Sequence, residues 1–372
     1  MNKLWLLLLL PLALLVLGIT MGPEAAEVLV RNTPSMAWAT RLLPPAPTIE
    51  RLVQPTPGDE SQTGAVYVPN GRAAPGVLLV NGAEVPGGWR SPDVEAFASS
   101  IADLGLTVYV PDLPGFEQGA LSTRALEALK QDLSWFSQST NVSGGRVALV
   151  GVCVGGSLAL ALAEDPRLAA SVRSVVTLDP YSRIANAIQA ATTGHAPGID
   201  GQRTAFQMEP WVREAMVRSL AGTVADAPSR AAMLVALSAS PPDDPLRTFR
   251  EQMPGDLSAA GAAWWRLLGN TDPASFERLY AALPDEVRGQ LDELSPGERI
   301  ARVSVPVLIA APYQDFAFPP GEAAALQRGN PRHVRLTRTS ALDHVTPTLS
   351  PGLLRDYWRL WQFASAGVQA LR

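Results

Sequence analysis

The sequence predicts an α/β fold: a mostly parallel sheet with helices on both faces and one long helical insertion. Three observations carry this. Runs of valine and leucine with few polar residues, such as GVLLVNG (Gly76 to Gly82) and RVALVGV (Arg146 to Val152), read as strands buried on both faces. Segments with apolar residues at helical spacing alternate with those runs, the rhythm of strand–helix–strand crossovers. Near Tyr181 the rhythm stops, and only helical patterns follow until about Arg302.

The elements follow in order. Leu4 to Met21 carries no charge and as a helix would span about 27 Å, close to the thickness of a bilayer's hydrocarbon core. We expect an uncleaved signal anchor over residues 1–21. A cleaved signal peptide has a shorter apolar region and needs small residues before the cut, where PEAAE offers Pro23 or Glu24. Lys3 precedes the span and Glu24 and Glu27 follow it, so the body would lie outside the cytoplasm, anchored or, on the rival reading, secreted. Residues 22–47, rich in proline and small residues, read as a linker. AVYVPNG (Ala65 to Gly71) reads as an edge strand and turn. GVLLVNG, LTVYVPDLPG and RVALVGV read as strands, with helices over SPDVEAFASSIADLG and LSTRALEALKQDLSWFSQST between them. The helix SLALALAEDP and the strand SVRSVVTLDP come next. The sheet core is therefore expected over 48–181 and again over 303–372, where SVPVLIAAP and HVRLTRTS are strands and LLRDYWRLWQFASAG a closing helix. Residues 182–302 would form a helical cap over the sheet's carboxyl edge, where open α/β sheets place their sites.

Composition excludes several classes. A net charge of −5, with arginines scattered among acids, offers no basic stripe for nucleic acid. One cysteine rules out an internal disulfide and any multi-cysteine metal site. His195, His333 and His344 lie far apart in sequence, without metal-ligand spacing, so no metal and no cofactor is expected.

The chemistry concentrates in GVCVGG, Gly151 to Gly156, between a strand and a helix. A nucleophile held on so sharp a turn projects above the sheet with its backbone at a helix amino terminus, which favours a thiolate and an oxyanion. Gly151 and Gly155 would face each other across the turn, leaving no room for side chains. Two plainer readings compete: Cys153 as a small core residue, and the glycines as a dinucleotide loop. The second lacks the G-x-G-x-x-G spacing. Partners favour the nucleophile. Asp315, in PYQDFAFPP, and His344, in TSALDHVTP, both follow strands, in the order nucleophile, acid, histidine. Asp343 is a rival acid, but as a sequence neighbour of His344 it would have to bend back awkwardly.

On these residues the chain resembles the α/β-hydrolase superfamily from about Thr48 to its end, the cap excepted. Within it, G-x-C-x-G-G is similar to the motif of dienelactone hydrolases. The resemblance implies an α/β-hydrolase fold and a triad of Cys153, Asp315 and His344. It implies oxyanion donors at Ala83, in the loop VNGAEVPGG, and Val154, and Glu84 as an acid contacting the cysteine. The long cap and the apolar amino terminus depart from that family. The expected function is hydrolysis of a small-molecule carboxylic ester or lactone through a thioester. A non-catalytic binding protein on the same fold, or acyl transfer by the same triad, are the alternatives. In the cap, Trp211, Trp264, Trp265, Phe276 and Tyr280 read as its own core before they read as an acyl pocket.

Overall fold

The computed structural model of the chain describes residues 23–43, 48–56, 59–83, 85–116, 119, 121–348 and 354–372. The expected membrane span, Leu4 to Met21, lies outside them. No helix among the described residues is long and apolar enough to cross a membrane.

The sheet contains β1 (Ile49–Thr56), β2 (Asp59–Pro69), β3 (Ala74–Val80), β4 (Thr107–Val110), β5 (Val142–Val152) and β6 (Val172–Leu178). After a small hairpin, β7 (His195–Pro197) and β8 (Arg203–Ala205), β9 (Val307–Pro312) and β10 (Val334–Thr339) complete it. The order is β1-β2-β4-β3-β5-β6-β9-β10. β1 and β2 run antiparallel to their neighbours, and every pair from β4 to β10 is parallel. The central strands are buried almost throughout, as expected of a sheet covered on both faces. One detail differs. β2 holds AVYVP as an inner strand, because Ile49–Thr56 pairs along its outer side and takes the edge.

One face of the sheet packs against α3 (Thr123–Ser137) and α4 (Val154–Ala163). The run GGSLALALA gives α4 no polar side to turn to water, and from Gly155 to Ala163 it is wholly buried. The other face packs against α1 (Pro23–Asn32), α2 (Pro92–Ala102) and α13 (Leu354–Leu371). Residues 23–43 thus depart from the expected linker. Ala25, Ala26, Leu29, Val30 and Met36 are buried against the domain, and Arg31 pairs with Glu27 and with Asp103 on the far side of the contact. The apolar spacing in EAAEVLV is that of an amphipathic helix, a signal that the flanking prolines outweigh when the segment is read alone.

Between β6 and β9 run α5 (Ile184–Thr193), α6 (Pro210–Ala221), α7 (Ala227–Ala239), α8 (Arg247–Glu251), α9 (Ala259–Leu268), α10 (Phe276–Ala281) and α11 (Asp285–Glu293). α12 (Gly321–Gly329) follows β9. Trp264, Trp265 and Phe276 are almost completely buried among these helices, so they are core aromatics. Glu322, at the start of α12, ties the insertion to the sheet. Its buried carboxylate accepts from the amides of Ser182 and Arg183 and from Asn186 Nδ2, each at 2.8 Å.

A second buried acid gives a stability prediction. Asp132 on α3 is fully buried, and Tyr109 Oη donates to its Oδ1 at 2.9 Å, while its other oxygen has no partner. Burial pushes its pKa up to about 7, against the hydrogen bond from Tyr109. A carboxyl with a raised folded-state pKa contributes its stability below the unfolded value and loses it as pH climbs to 7. The cost at higher pH is on the order of 4 kcal/mol. Asp132→Asn keeps the acceptor for Tyr109, so its urea midpoint should match or fall below that of the parent at pH 4 and exceed it at pH 8.

Candidate active site

The site forms where the carboxyl ends of β5, β6 and β9 meet. Cys153 caps α4 with φ 55° and ψ −127°, a conformation that side chains rarely adopt. Its amide donates to Leu178 O at the end of β6 (2.8 Å), and its carbonyl accepts from Gly156 N (2.9 Å), so the turn is held from both sides. Cys153 is half-buried, at the margin of the core.

The glycines of the turn are required by sterics, though not quite as a facing pair. A Cβ on Gly151 would stand 2.5 Å from Gly156 Cα and 2.7 Å from Gly155 O, across the turn. One on Gly155 would meet the backbone of β3 instead, 2.3 Å from both Val80 O and Asn81 O. Gly156, which the sequence reading passed over, is as constrained: its Cβ would lie 1.9 Å from Thr177 Oγ1 on β6. These three absences let α4 start directly against two strands.

His344 is brought over the turn in the loop that follows β10, with φ 52° and only 9% exposure. It lines the same cavity as Cys153, whose sulfur acts on the ring electrostatically. On the other side of the ring, Nδ1 meets two carboxyl groups, Asp315 Oδ1 at 3.0 Å and Asp179 Oδ2 at 3.1 Å. Asp315, in the loop after β9, is fixed by amides from its own loop. Phe318 N donates to Oδ2 at 2.7 Å and Ala317 N at 3.2 Å. Phe316 and Phe318 flank the imidazole, with ring centres 5.0 and 6.1 Å away. Asp343 is exposed.

Asp179 is the member that sequence reasoning missed. It ends β6 in SVVTLDP, where its amide donates to Ala310 O of β9 at 2.8 Å. Its φ is 45°. The signal was available, because an acid at the carboxyl end of a strand is the criterion that picked out Asp315. Among the described residues, Asn70, Cys153, Asp179 and His344 are the non-glycine positions with positive φ, and three of these four meet here. Backbone strain concentrated in one place marks a site that the rest of the fold holds in position.

The ligand atoms of Asp179, Asp315 and His344 lie within 4.8 Å of one another. Two carboxylates so close cannot both ionise cheaply, and the environment sorts them. Complete burial pushes the Asp179 carboxyl well up, and the neighbouring Asp315 adds to it against the hydrogen bond from His344. Asp315 is also buried, but hydrogen bonds from His344, Asp179 and the Phe318 amide outweigh burial and hold its pKa below the usual range. Burial would depress the imidazole; the Cys153 sulfur and the two carboxyl groups more than reverse that and raise it. The two carboxyl groups are thus pushed in opposite directions, Asp315 towards its ionised form and Asp179 towards its protonated one, while the imidazole is pushed towards its charged form. The same three groups could take up a cation. With Nδ1 of His344 already held by both carboxyl groups, ester cleavage should survive dialysis against EDTA; a loss restored by a divalent cation would make the cluster a metal site.

Ala83 and Val154 both line a cavity of about 280 Å³ above Cys153 and His344. Glu84 lies outside the described residues. Much of the remaining wall comes from the insertion and is apolar, including Ile184, Met208, Val212, Met216 and Leu291. Three hydroxyls face this space, and each is engaged: Ser219 with the Leu121 backbone, Thr223 with Leu220 O and Tyr181 with Leu294 O. Of the aromatic residues singled out in the insertion, Trp211 lines the cavity, half-exposed and beside Phe316. His195 does not reach it; its Nδ1 lies 2.9 Å from Thr193 O.

A strand ending in a strained residue at a helix start, beneath a histidine from the last strand's loop, is the arrangement that decides the family. Residues 75–346 match the family described as the alpha/beta hydrolase fold. The chain belongs to that family. No curated protein matches it. Solved alpha/beta structures similar to it include a hyperthermophilic esterase from the archaeon Pyrobaculum calidifontis, 18% identical over 93% of this chain and 89% of that one, with a TM-score of 0.47. A thermostable carboxylesterase cloned from a metagenomic library is 16% identical over 95% and 99% of the two chains, with a TM-score of 0.46. Likeness this remote carries no argument about substrate.

Proposed function

We propose that this alpha/beta hydrolase cleaves carboxylic esters or lactones, with Cys153 as nucleophile, His344 as acid and base, and Asp315 as the carboxylate that orients it. One observation carries the reading: a strained, partly buried cysteine at a helix amino terminus shares a cavity with a histidine whose Nδ1 is held by two carboxyl groups. A core cysteine needs none of these features, whereas a nucleophile needs all of them.

In this mechanism the Cys153 thiolate, paired with protonated His344, adds to the substrate carbonyl. Negative charge moves to the carbonyl oxygen, where the amides of Val154 and Ala83 would receive it. Val154 opens α4, where an amide has no acceptor within the helix and can meet an oxyanion. As the C–O bond breaks, His344 delivers its proton to the leaving alkoxide. Water then loses a proton to His344 and attacks the thioester, which frees the acid and returns the thiolate. Asp315 keeps Nδ1 protonated throughout, so that Nε2 is the nitrogen that exchanges protons. The resemblance to dienelactone hydrolases supports the cysteine variant of this chemistry. The apolar walls and fully engaged hydroxyls of the cavity favour an uncharged acyl group. The apolar run at the amino terminus supports a place at a membrane, outside the cytoplasm.

The test is a rapid-mixing assay of the full-length chain with p-nitrophenyl butyrate, with intact mass recorded during turnover. A burst of one nitrophenolate per chain, with one butyryl group on Cys153, is the expected result. Steady turnover of an ester with no acyl group on Cys153, or complete inertness of the thiol towards iodoacetamide in the folded protein, would remove it from the mechanism.

A further inference from the structure

We infer that the active site continues into a second apolar chamber behind the sheet edge, and that this chamber holds a long, uncharged alkyl chain of the substrate. The inference rests on the ester-hydrolase reading above. A cavity of about 500 Å³ lies on the sheet face opposite α4, between the strand side chains Leu79, Val150 and Val176 and the helices α2 and α13. α1 forms its outer wall through Val28 and Leu29. Protein interiors are close-packed, with few voids larger than a water molecule. Apolar cavities of about 150 Å³ already stay dry and take up small hydrocarbons. A space this large and this apolar, between the sheet and its covering helices, suits a hydrocarbon occupant.

Its position says which one. Gly82, Val85, Val152 and Val345 line both this chamber and the cavity above Cys153. These four sit beside the nucleophile turn and in the histidine loop, so the two spaces adjoin at the reacting atoms. Gly82 lies directly against the nucleophile: a Cβ there would stand 3.6 Å from Cys153 Cβ. Of the polar groups at the chamber's rim, Asp93 and Thr346 are exposed, and two others are engaged with neighbours. Arg31 pairs with Glu27 and Asp103, and Asn32 Nδ2 donates to Val28 O and Ser100 Oγ. With Arg31 already paired, little remains to recognise an anionic head, whereas a chain whose polar end is the ester at Cys153 needs no such recognition. The substrate class is therefore an ester with an alkyl arm too long for the smaller cavity alone.

Two substitutions on α13 fill the chamber without touching the catalytic residues. A Cβ on Gly367 would meet only Val176 Cγ1, at 3.6 Å, so Gly367→Leu places its branch in the free space. Ala364→Trp fills it from the next turn. Folding of each is checked by circular dichroism. Rates are measured on p-nitrophenyl butyrate, p-nitrophenyl decanoate and decyl acetate, the last two placing the long chain on the acyl or the alcohol side. Both variants should cleave butyrate within about twofold of the parent and lose about tenfold or more on whichever decyl substrate the parent prefers. Equal effects on short and long esters, or none on either, would overturn the chamber while leaving the hydrolase in place. Calorimetric titration of 1-decanol into Cys153→Ala protein decides the chamber independently of catalysis. Binding weakened about tenfold by either α13 substitution supports it; no binding, or binding indifferent to both, rejects it even if no ester proves to be a substrate.

Discussion

Cys153→Ala should lower kcat/KM on p-nitrophenyl esters by about 10⁴-fold or more and abolish the burst, with KM little changed. The size follows from what the thiol does. Removing a covalent nucleophile leaves only binding and oxyanion stabilisation, and these sustain a small residual rate over water. Alanine fits the turn no worse than cysteine, since both carry a Cβ at φ 55°, so the thermal midpoint should move little. That separates a catalytic loss from a folding one. Cys153→Ser is the sharper variant. The histidine and the carboxyl groups remain, but a hydroxyl is a far weaker acid than a thiol and would have to give up its proton in the attack itself. A serine variant as active as the parent would mean that no preformed ion pair is used.

The second large effect concerns the two carboxyl groups on one nitrogen. Asp315→Asn alone should cost only about 10- to 100-fold, because Asp179 still touches His344 Nδ1 at 3.1 Å. With the neighbouring charge gone, the main obstacle to ionising Asp179 besides burial disappears, and it can take over the orienting role. Asp179→Asn should cost less still, since an amide donates to Asp315 much as the protonated acid does. The double variant leaves no carboxylate to hold the tautomer, a defect worth about 10⁴-fold in kcat. The two losses are thus expected to be strongly non-additive. If the double variant loses no more than the product of the single losses, or if Asp315→Asn alone is as damaged as the pair, the two acids do not substitute for one another.

Much of this was legible in one dimension. The strand–helix alternation, the glycine turn around Cys153, and the acid and histidine after the last two parallel strands follow from hydrophobic period and chain order. Local sterics and backbone hydrogen bonding govern those features, and both act over a few residues. The helical character of 23–32 was present too, in the spacing of Ala25, Ala26, Leu29 and Val30, but prolines and glycine on either side pointed to a linker. What it packs against, α2 and α13, lies 60 to 340 residues further along the chain.

By itself, then, the sequence determined the fold class, the glycine turn around Cys153 and three members of the candidate site, because each is written in a contiguous motif. Only the tertiary structure decided that Asp179 shares Nδ1 of His344 with Asp315, that Gly155 yields to β3 rather than to Gly151, and that α1 closes a chamber behind the sheet. Those are matters of which strand lies beside which. Such adjacency arises from packing between segments distant in sequence, and no local period records it.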